Sequence, residues 1–471
     1  KVSAFQPSGG FSLNRRMTDA IPPLVLTGPT WSTVITSDIT STNPFDFENI
    51  WERTLLQRAS QERIGWPEAM IEAQATLALG ELTLAGLAAA PFILHRYRIA
   101  KWLKLKPLKP SSVEAKLKMT LILPVWNEED IILSKLENLA SQEYSRKDLE
   151  LLIIDSASTD ESMPIVKSWL KEKPKAFPNY KIIEMEKRLG KTEAIRQAII
   201  AADEKSEVIV MTDVDATFPP DSLSRLASWF SDPEIGAVGG TPQRSSVEEK
   251  AHTEMESTYR DLFTLQRIAE SRIDSTPFLE GSIAGFRRSM VDVDLLNVHS
   301  NADDSQLATM VRLRGGKCIQ DSELCFDEMT PPSNAGRRSR KTRRAQGLCR
   351  HLWRNRSAWF SKQHGKFGSI IGNQAMMHLI APWLVLMAVL LGISRWVIQI
   401  QTGSYFEEWY LVLFMIELII MISWVGVMLN IKIKGISFLQ MFLDSMTNLM
   451  IAQFLILRGK SLHVWNKPER N

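Results

Sequence analysis

The sequence predicts an α/β fold: a mainly parallel sheet wrapped by helices, with membrane helices before and after it. Three observations predict it. Between residues 113 and 345, short apolar runs of β type alternate with helical ones. One such run, Val208–Met211, stops at Asp213-Val214-Asp215. Long apolar segments flank this polar middle on both sides.

At 471 residues the chain is too long for one ordinary core. Its formal charge of +3 is nearly balanced, and no nucleic acid is expected as a partner. Basic residues gather instead at 95–118 and 337–344. Cys318, Cys325 and Cys349 lack zinc-type spacing and read as reduced thiols of a cytosolic domain. The sequence starts at Lys1 rather than Met, so no targeting signal is judged from it.

The elements follow in order. Residues 1–50 are rich in Ser, Thr and Pro and are expected to be irregular. A helical amphipathic pattern runs from 49 to 73 through Trp51, Leu55, Leu56, Ile64 and Trp66. Residues 75–94 are apolar but for Glu81 and Thr83, and are just long enough to span a bilayer. A buried or interfacial helix ending at Pro91 is the alternative. The middle reads strand 119–123, helix 128–141, strand 149–154, helix 161–170, strand 181–185, helix 191–202, strand 208–211 and helix 221–230. Residues 351–371 mix Trp353, Trp359, Phe360 and Phe367 with basic side chains, as a membrane-surface helix does. Residues 379–400 and 409–429 are the two strong spanning candidates, the second carrying Glu417. Residues 436–457 set Ser437, Gln440, Asp444, Thr447 and Asn448 on one face. A re-entrant or surface helix is expected there. The division expected is 1–73, 74–112, a catalytic domain at 113–345, interfacial helices at 346–375, and membrane helices with a basic tail at 376–471. Lys and Arg place the middle domain and the tail on the cytoplasmic side, because only the link 401–408 lacks them.

In an open α/β sheet, ligands sit beyond the carboxyl ends of the strands. Those ends carry Pro124-Val125-Trp126-Asn127-Glu128-Glu129, Asp155-Ser156-Ala157-Ser158-Thr159-Asp160, Lys187 to Lys191 with Gly190 opening a helix, and the paired aspartates. Asp213 and Asp215, one residue apart, fall on the same side of an extended chain. Two hard carboxylates there suit a divalent cation on a diphosphate. Taken singly, each segment also serves as a helix cap or turn.

The ordered set resembles the family 2 glycosyltransferases, whose fold, GT-A, is the mixed-sheet nucleotide-diphospho-sugar transferase fold. The likeness continues at 278–288, similar to the acceptor segment of cellulose-synthase-like members. It continues at Ala302-Asp303-Asp304-Ser305-Gln306-Leu307, similar to the segment supplying the base in hyaluronan and cellulose synthases. It covers about 115–350. The resemblance implies that Pro124, Asn127, Glu128, Asp155, Lys191, Asp213 and Arg343 bind the nucleotide sugar. In it Asp155 accepts from uracil N3–H, Lys191 meets the diphosphate, and Asp215 holds Mg2+ or Mn2+. Gly281 and Ser282 admit the acceptor, and Asp304 is the catalytic base. The implied partners are a UDP-sugar, a glycan or lipid acceptor, and membrane lipids. The implied reaction is inverting transfer to a hydroxyl, for a polysaccharide or, alternatively, a lipid carrier or glycolipid. One departure stands out: the family's Gln-X-X-Arg-Trp falls on Arg340-Lys341-Thr342-Arg343-Arg344, where only Arg343 survives. A looser match uses Gln346, Arg350 and Trp353, at the wrong spacing. An inactive transferase-like scaffold would have lost the carboxylates that are present here. No Gly-X-Gly-X-X-Gly follows a strand, which disfavours a dinucleotide oxidoreductase.

Overall fold

The computed structural model describes residues 47–110, 116–243, 251–328, 334–402, 408–429, 431, 433–462 and 464. Of the features expected above, the irregular stretch at 1–46, the link at 403–407 and the tail from 465 lie outside the described residues. The chain forms two compact units, Lys1–Ala69 and Met70–Asn471. The first is described only through the opening turns of α1 (Phe47–Trp102).

In chain order the elements of the second unit are β1 (Met119–Val125), α2 (Ile132–Ala140), β2 (Leu149–Asp155), α3 (Ser162–Glu172), β3 (Tyr180–Glu184), α4 (Lys191–Ala201), β4 (Val208–Met211), β5 (Ala216–Thr217), α5 (Ser222–Phe230), β6 (Ile235–Pro242), α6 (Ala251–Ile273), β7 (Ala284–Arg287), α7 (Asp303–Leu313), β8 (Lys317–Glu328), α8 (Asn334–Arg354), α9 (Gly365–Ala375), α10 (Ala381–Thr402), α11 (Glu408–Met428) and α12 (Ser437–Leu457). The eight strands form one sheet in the order β3-β2-β1-β4-β7-β6-β8-β5. Its first four strands are parallel, as the alternating pattern predicts. The rest is mixed. β7 runs antiparallel to β4 and β6, while β8 is parallel to β6.

Side chains alternate across this sheet with the period of a pleat. Leu121, Leu123, Leu151, Ile153, Val208 and Val210 pack on one face with α2, α3 and α5. Ile122, Leu152, Ile154, Ile209 and Met211 pack on the other with α4 and α7. Burial on both faces explains why these strands read as continuous apolar runs.

Register then fixes the chemistry's position. Val125 pairs with Asp155, and Met211 with Ala284. Because β7 is antiparallel, its first residue meets the last residue of β4. Gly281 and Ser282, just before β7, therefore share one sheet edge with Asp213 and with the ends of β1 and β2.

Among the described residues, four helices are long and apolar enough to cross a membrane: Glu72–Trp102, Lys362–Gln401, Tyr410–Met428 and Ser437–Leu457. That is two more than the strong candidates read from sequence. The first does not stop at Pro91: a proline forfeits one backbone bond, and α1 runs on past it to Trp102. Nor is 351–371 one surface helix. α8 ends at Arg354, short 3-10 turns follow at Arg356–Ala358 and Lys362–His364, and α9 starts afresh at Gly365. A π-helical turn, Met376–Ile380, joins α9 to α10.

The charges inside the apolar helices are paired, as low dielectric demands. Arg395 of α10 is fully buried and bonds to Glu81 of α1 at 3.1 Å, to Gln399 at 2.9 Å and to Glu417 of α11. The polar stripe of α12 has its own partner in α8. Lys341 meets Asp444 at 3.0 Å, and Thr342 donates to Asn448 at 3.2 Å. Just past α12 the chain turns back onto α8 and the turn before α7. Gln346 brackets it, donating to the Lys460 carbonyl at 2.9 Å and accepting from the Leu462 amide at 2.8 Å. Asn301 donates to the carbonyls of both Arg343 and Leu462.

Candidate active site

The loops at the strand ends are laced together by short polar side chains. Asn127 accepts from the Thr159 amide at 2.8 Å, and its own amide donates to Ser158 at 3.0 Å. Glu128 donates its amide to Ser162 at 2.6 Å, and Glu129 to Asp160 at 3.1 Å. The cap-and-turn reading of these residues is thus correct as far as it goes. Pro124, the next-to-last residue of β1, pairs with Ile154. Asp155 ends β2 buried, and both its oxygens accept from Ser158.

Three non-glycine residues at positive φ stand in these loops: Asn127 at 51°, Ala157 at 61° and Ala302 at 67°. Asn visits this region readily, but an alanine there costs about 1–3 kcal/mol and marks a shape held by its surroundings. Ala302 directly precedes the acidic pair at the start of α7.

The centre is built around Gly281. A β-carbon there would stand 3.1 Å from Lys191 Nζ, 3.7 Å from Asp304 Oδ2 and 3.8 Å from Asp213 Oδ2. Three groups singled out from distant segments thus meet within 4 Å of one point. Lys191, at the first turn of α4, contacts Asp213 at 2.5 Å and Asp303 at 3.7 Å. Burial opposes its charge, but Asp213 and Asp303 hold the ammonium well above its ordinary pKa. Burial likewise opposes the Asp213 carboxylate, and Lys191 outweighs it and keeps that group below its usual value.

Asp215 and Asp304 behave oppositely. Burial, then the charges of Asp213 and Glu328, pushes Asp215 up to about 6. Burial, then the charge of Asp303, pushes Asp304 up to about 6. Asp304 Oδ1 accepts from the Ser305 amide at 2.6 Å, which leaves Oδ2 toward Gly281. A carboxyl raised toward neutrality and open to a cleft is the profile of a general base.

The donor set also bears on a metal. Among the described residues, no group of three or more His, Cys, Asp or Glu is arranged to hold one. Two carboxylates one residue apart do suit Mg2+ or Mn2+, which bind through one or two carboxylates plus substrate phosphates. Lys191 takes up Asp213, so Asp215 is the carboxylate better placed for the ion.

Reading the sequence missed several members. Arg340 of α8 lies 3.9 Å from Asp215 and pairs with Glu328, which Arg344 also approaches at 3.6 Å. Burial, then the neighbouring charges of Arg344 and Arg340, lowers the pKa of Arg343 to about 10 against the pull of Asp303 and Asp213. The helical spacing of 340, 343 and 344 was the available signal. Lys135 of α2 lies buried behind the aspartates, and Thr212 joins the two regions, donating to the Ser282 carbonyl at 2.8 Å. Burial brings Lys135 down to about 7 against the pull of Asp213 and Asp215. The three thiols are free, with Cys318 and Cys349 buried.

Comparison with known proteins places this cleft. The glycosyl transferase family 2 profile matches residues 120–294, and that of glycosyl transferase family group 2 matches 208–428. An N-acetylglucosaminyltransferase of Bradyrhizobium elkanii is 31% identical over 166 residues, covering 32% of this chain and 86% of that protein. The poly-beta-1,6-N-acetyl-D-glucosamine synthase of Staphylococcus aureus (strain MSSA476) is 24% identical over 234 residues, covering 49% of this chain. The chain spans only 54% of that relative's length. Among solved structures, the mannosyltransferase PcManGT of Pyrobaculum calidifontis, in complex with GDP-Man and Mn2+, superposes with a TM-score of 0.66 at 24% identity. It covers 82% of this chain and 99% of its own, and shows the same fold. The matches fall on the residues that build the cleft, and the chain belongs to the family 2 glycosyltransferases, with a GT-A sheet and apolar helices around it.

Proposed function

We propose that the protein transfers a sugar from a UDP-sugar to a hydroxyl acceptor, with inversion, in a metal-dependent reaction at the cytoplasmic face of a membrane, and that it serves polysaccharide synthesis. The observation that carries the reading is the meeting of Lys191, Asp213 and Asp304 at Gly281. Asp304 takes the proton of the acceptor hydroxyl. The acceptor oxygen forms its bond to the anomeric carbon from the face opposite the diphosphate. The bond from that carbon to the diphosphate oxygen breaks, and the nucleoside diphosphate leaves with the electron pair. One base carboxylate suffices, because no covalent sugar–enzyme bond forms. Lys191 and Arg340 bring positive charge to the side where the diphosphate departs. Asp215 would hold Mg2+ or Mn2+, and the bound ion would supply Lewis-acid stabilisation to that leaving group.

Asp155 lies two strands from Asp213 across the order β2-β1-β4, about 10 Å at ordinary strand spacing. A carboxylate at that strand end would accept from the uracil N3–H. The relatives' names point to N-acetylglucosamine as the first sugar to try. Lys and Arg flank the apolar helices at Arg96, Arg98, Lys101, Lys434, Arg458 and Lys460, which supports the cytoplasmic orientation. The contacts of α12 along α8 support a helix lying on the catalytic layer rather than crossing.

A second acceptor class has its own support. Where the polymer-forming pattern has Trp, this chain has Arg344, drawn to Glu328. An ion pair in place of an aromatic platform suits a single transfer to a lipid carrier. The test is to incubate the detergent-purified chain with radiolabelled UDP- and GDP-sugars and Mn2+ or Mg2+, then analyse products. Turnover of a UDP-sugar that EDTA abolishes is expected, and the solvent phase of the label separates polymer from glycolipid. Turnover of GDP-sugars alone, or full activity in excess EDTA, overturns the reading.

A further inference from the structure

α2 carries a lysine where a core residue belongs. Ile132, Leu136 and Leu139 make its buried stripe, and Lys135 falls on the same face with 1% of its surface exposed. An ammonium is among the costliest groups to bury without compensation. Among the described residues, no carboxylate lies within ion-pair range of it.

Its contacts are specific. The ammonium donates to Thr212 Oγ1 at 2.7 Å and to the Ala216 carbonyl at 2.5 Å, and sits 4.6 Å from the centre of the Phe218 ring. Thr212 and Ala216 flank Asp213-Val214-Asp215 on both sides. One cation therefore ties the two ends of the aspartate loop together from beneath. The Thr212 hydroxyl in turn donates a hydrogen bond to the Ser282 carbonyl, beside Gly281. A continuous path thus runs from α2 through the loop holding the aspartates to the segment facing the acceptor.

We propose that Lys135 is a positioning residue: it holds the Asp213–Asp215 loop in its metal- and diphosphate-binding shape and locks it to the Gly281–Ser282 segment. This rests on the reading of Asp215 as the metal ligand. The side chain touches neither substrate nor reacting atom. It acts as groups behind metal ligands do, by orienting them and offsetting their charge.

The test uses the full chain in detergent, with K135M, K135R and T212V beside the wild type. Met keeps the length and apolar stem of the side chain and removes the charge. T212V cuts the path to Ser282 and leaves the bond to Ala216. Three quantities are measured: thermal unfolding, Mn2+ binding by electron paramagnetic resonance, and UDP binding by calorimetry with and without Mn2+. Turnover against Mn2+ concentration is the fourth. K135M should weaken Mn2+ binding and lower turnover by about 10- to 100-fold, the usual range for groups behind metal ligands. K135R should recover part of the loss, and T212V should shift the same quantities less. A folded K135M with wild-type Mn2+ and UDP binding overturns the proposal. If K135M does not fold, T212V with unchanged Mn2+ binding and turnover overturns it. A wild type that binds UDP equally with and without Mn2+ refutes the metal reading itself, a separate result from any difference among the variants.

Discussion

Adding one methyl group at Gly281 tests the proposed site at its centre. The new carbon would meet Lys191 Nζ at 3.1 Å and Asp304 Oδ2 at 3.7 Å. The tight contact is with the flexible end of a lysine, so the fold should accept it. A glycine whose backbone already suits alanine gains about 0.4–1 kcal/mol of stability on that change, through the unfolded chain. The reacting hydroxyl is less tolerant. To lose its proton it must come within about 2.6–3.2 Å of the base. A carbon 3.7 Å from that same oxygen stands where the acceptor oxygen or its carbon must go. A displacement of about 1 Å at a reacting centre costs on the order of 10²-fold in rate, equivalent to about 2.7 kcal/mol. G281A should therefore unfold at or slightly above the wild-type temperature, bind UDP with little change, and transfer sugar about 100-fold more slowly. Acceptor-dependent transfer, measured beside calorimetric UDP binding, separates these effects. Transfer within twofold of wild type would refute the placement of the acceptor at Gly281.

Other expectations follow from the same geometry. D304N keeps the shape and removes the basicity, so transfer should fall by about 10²- to 10⁴-fold with UDP binding intact. Loss in D303N but not in D304N would move the base by one residue. Because Asp304 is raised to about 6 and works only as the carboxylate, activity should fall as pH drops through that value. A profile flat to pH 4.5 would contradict this. D215N should raise the Mn2+ requirement, and an unchanged half-saturating concentration would remove Asp215 from the metal site. Cysteines placed at Ser404 and Lys460, in a background lacking the native three, should label from opposite faces of oriented vesicles. Labelling from the same face would show that α12 crosses.

The first half of the catalytic layer was legible because its physics is local. Three apolar runs buried on both faces, those of β1, β2 and β4, each end in polar residues and announce parallel strands and the edge where ligands gather; β3, at the sheet edge, is half exposed. The second half was not. β7 is four residues with Gly285 inside it, and β8 carries Gln320, Asp321, Ser322 and Glu323. Both owe their strand form to partners far along the chain. The same holds in the site. Asp213, Asp304 and Gly281 belong to recognisable segments. Arg340 acquires meaning only when α8 crosses the aspartates, and Lys135 only when its helix face is known. Ile122 and Leu123 illustrate the easy case: adjacent letters, opposite faces, both buried.

The bracket that Gln346 makes around Lys460 and Leu462 has a mechanical consequence. Asn301, two residues before the acidic pair, is tied to the same strand of chain. The turn bearing the proposed base is thereby hitched to the end of α12, an apolar helix packed against α8 on one side and α10 and α11 on another. A shift of that helix must either snap these bonds or drag the turn with it. The stiffness of the surrounding lipid or detergent then becomes a variable of catalysis, and a rate measured in one micelle need not transfer to another. A fusion partner attached beyond Leu462 would load the same linkage, so a C-terminal tag is a perturbation to be controlled rather than a neutral handle.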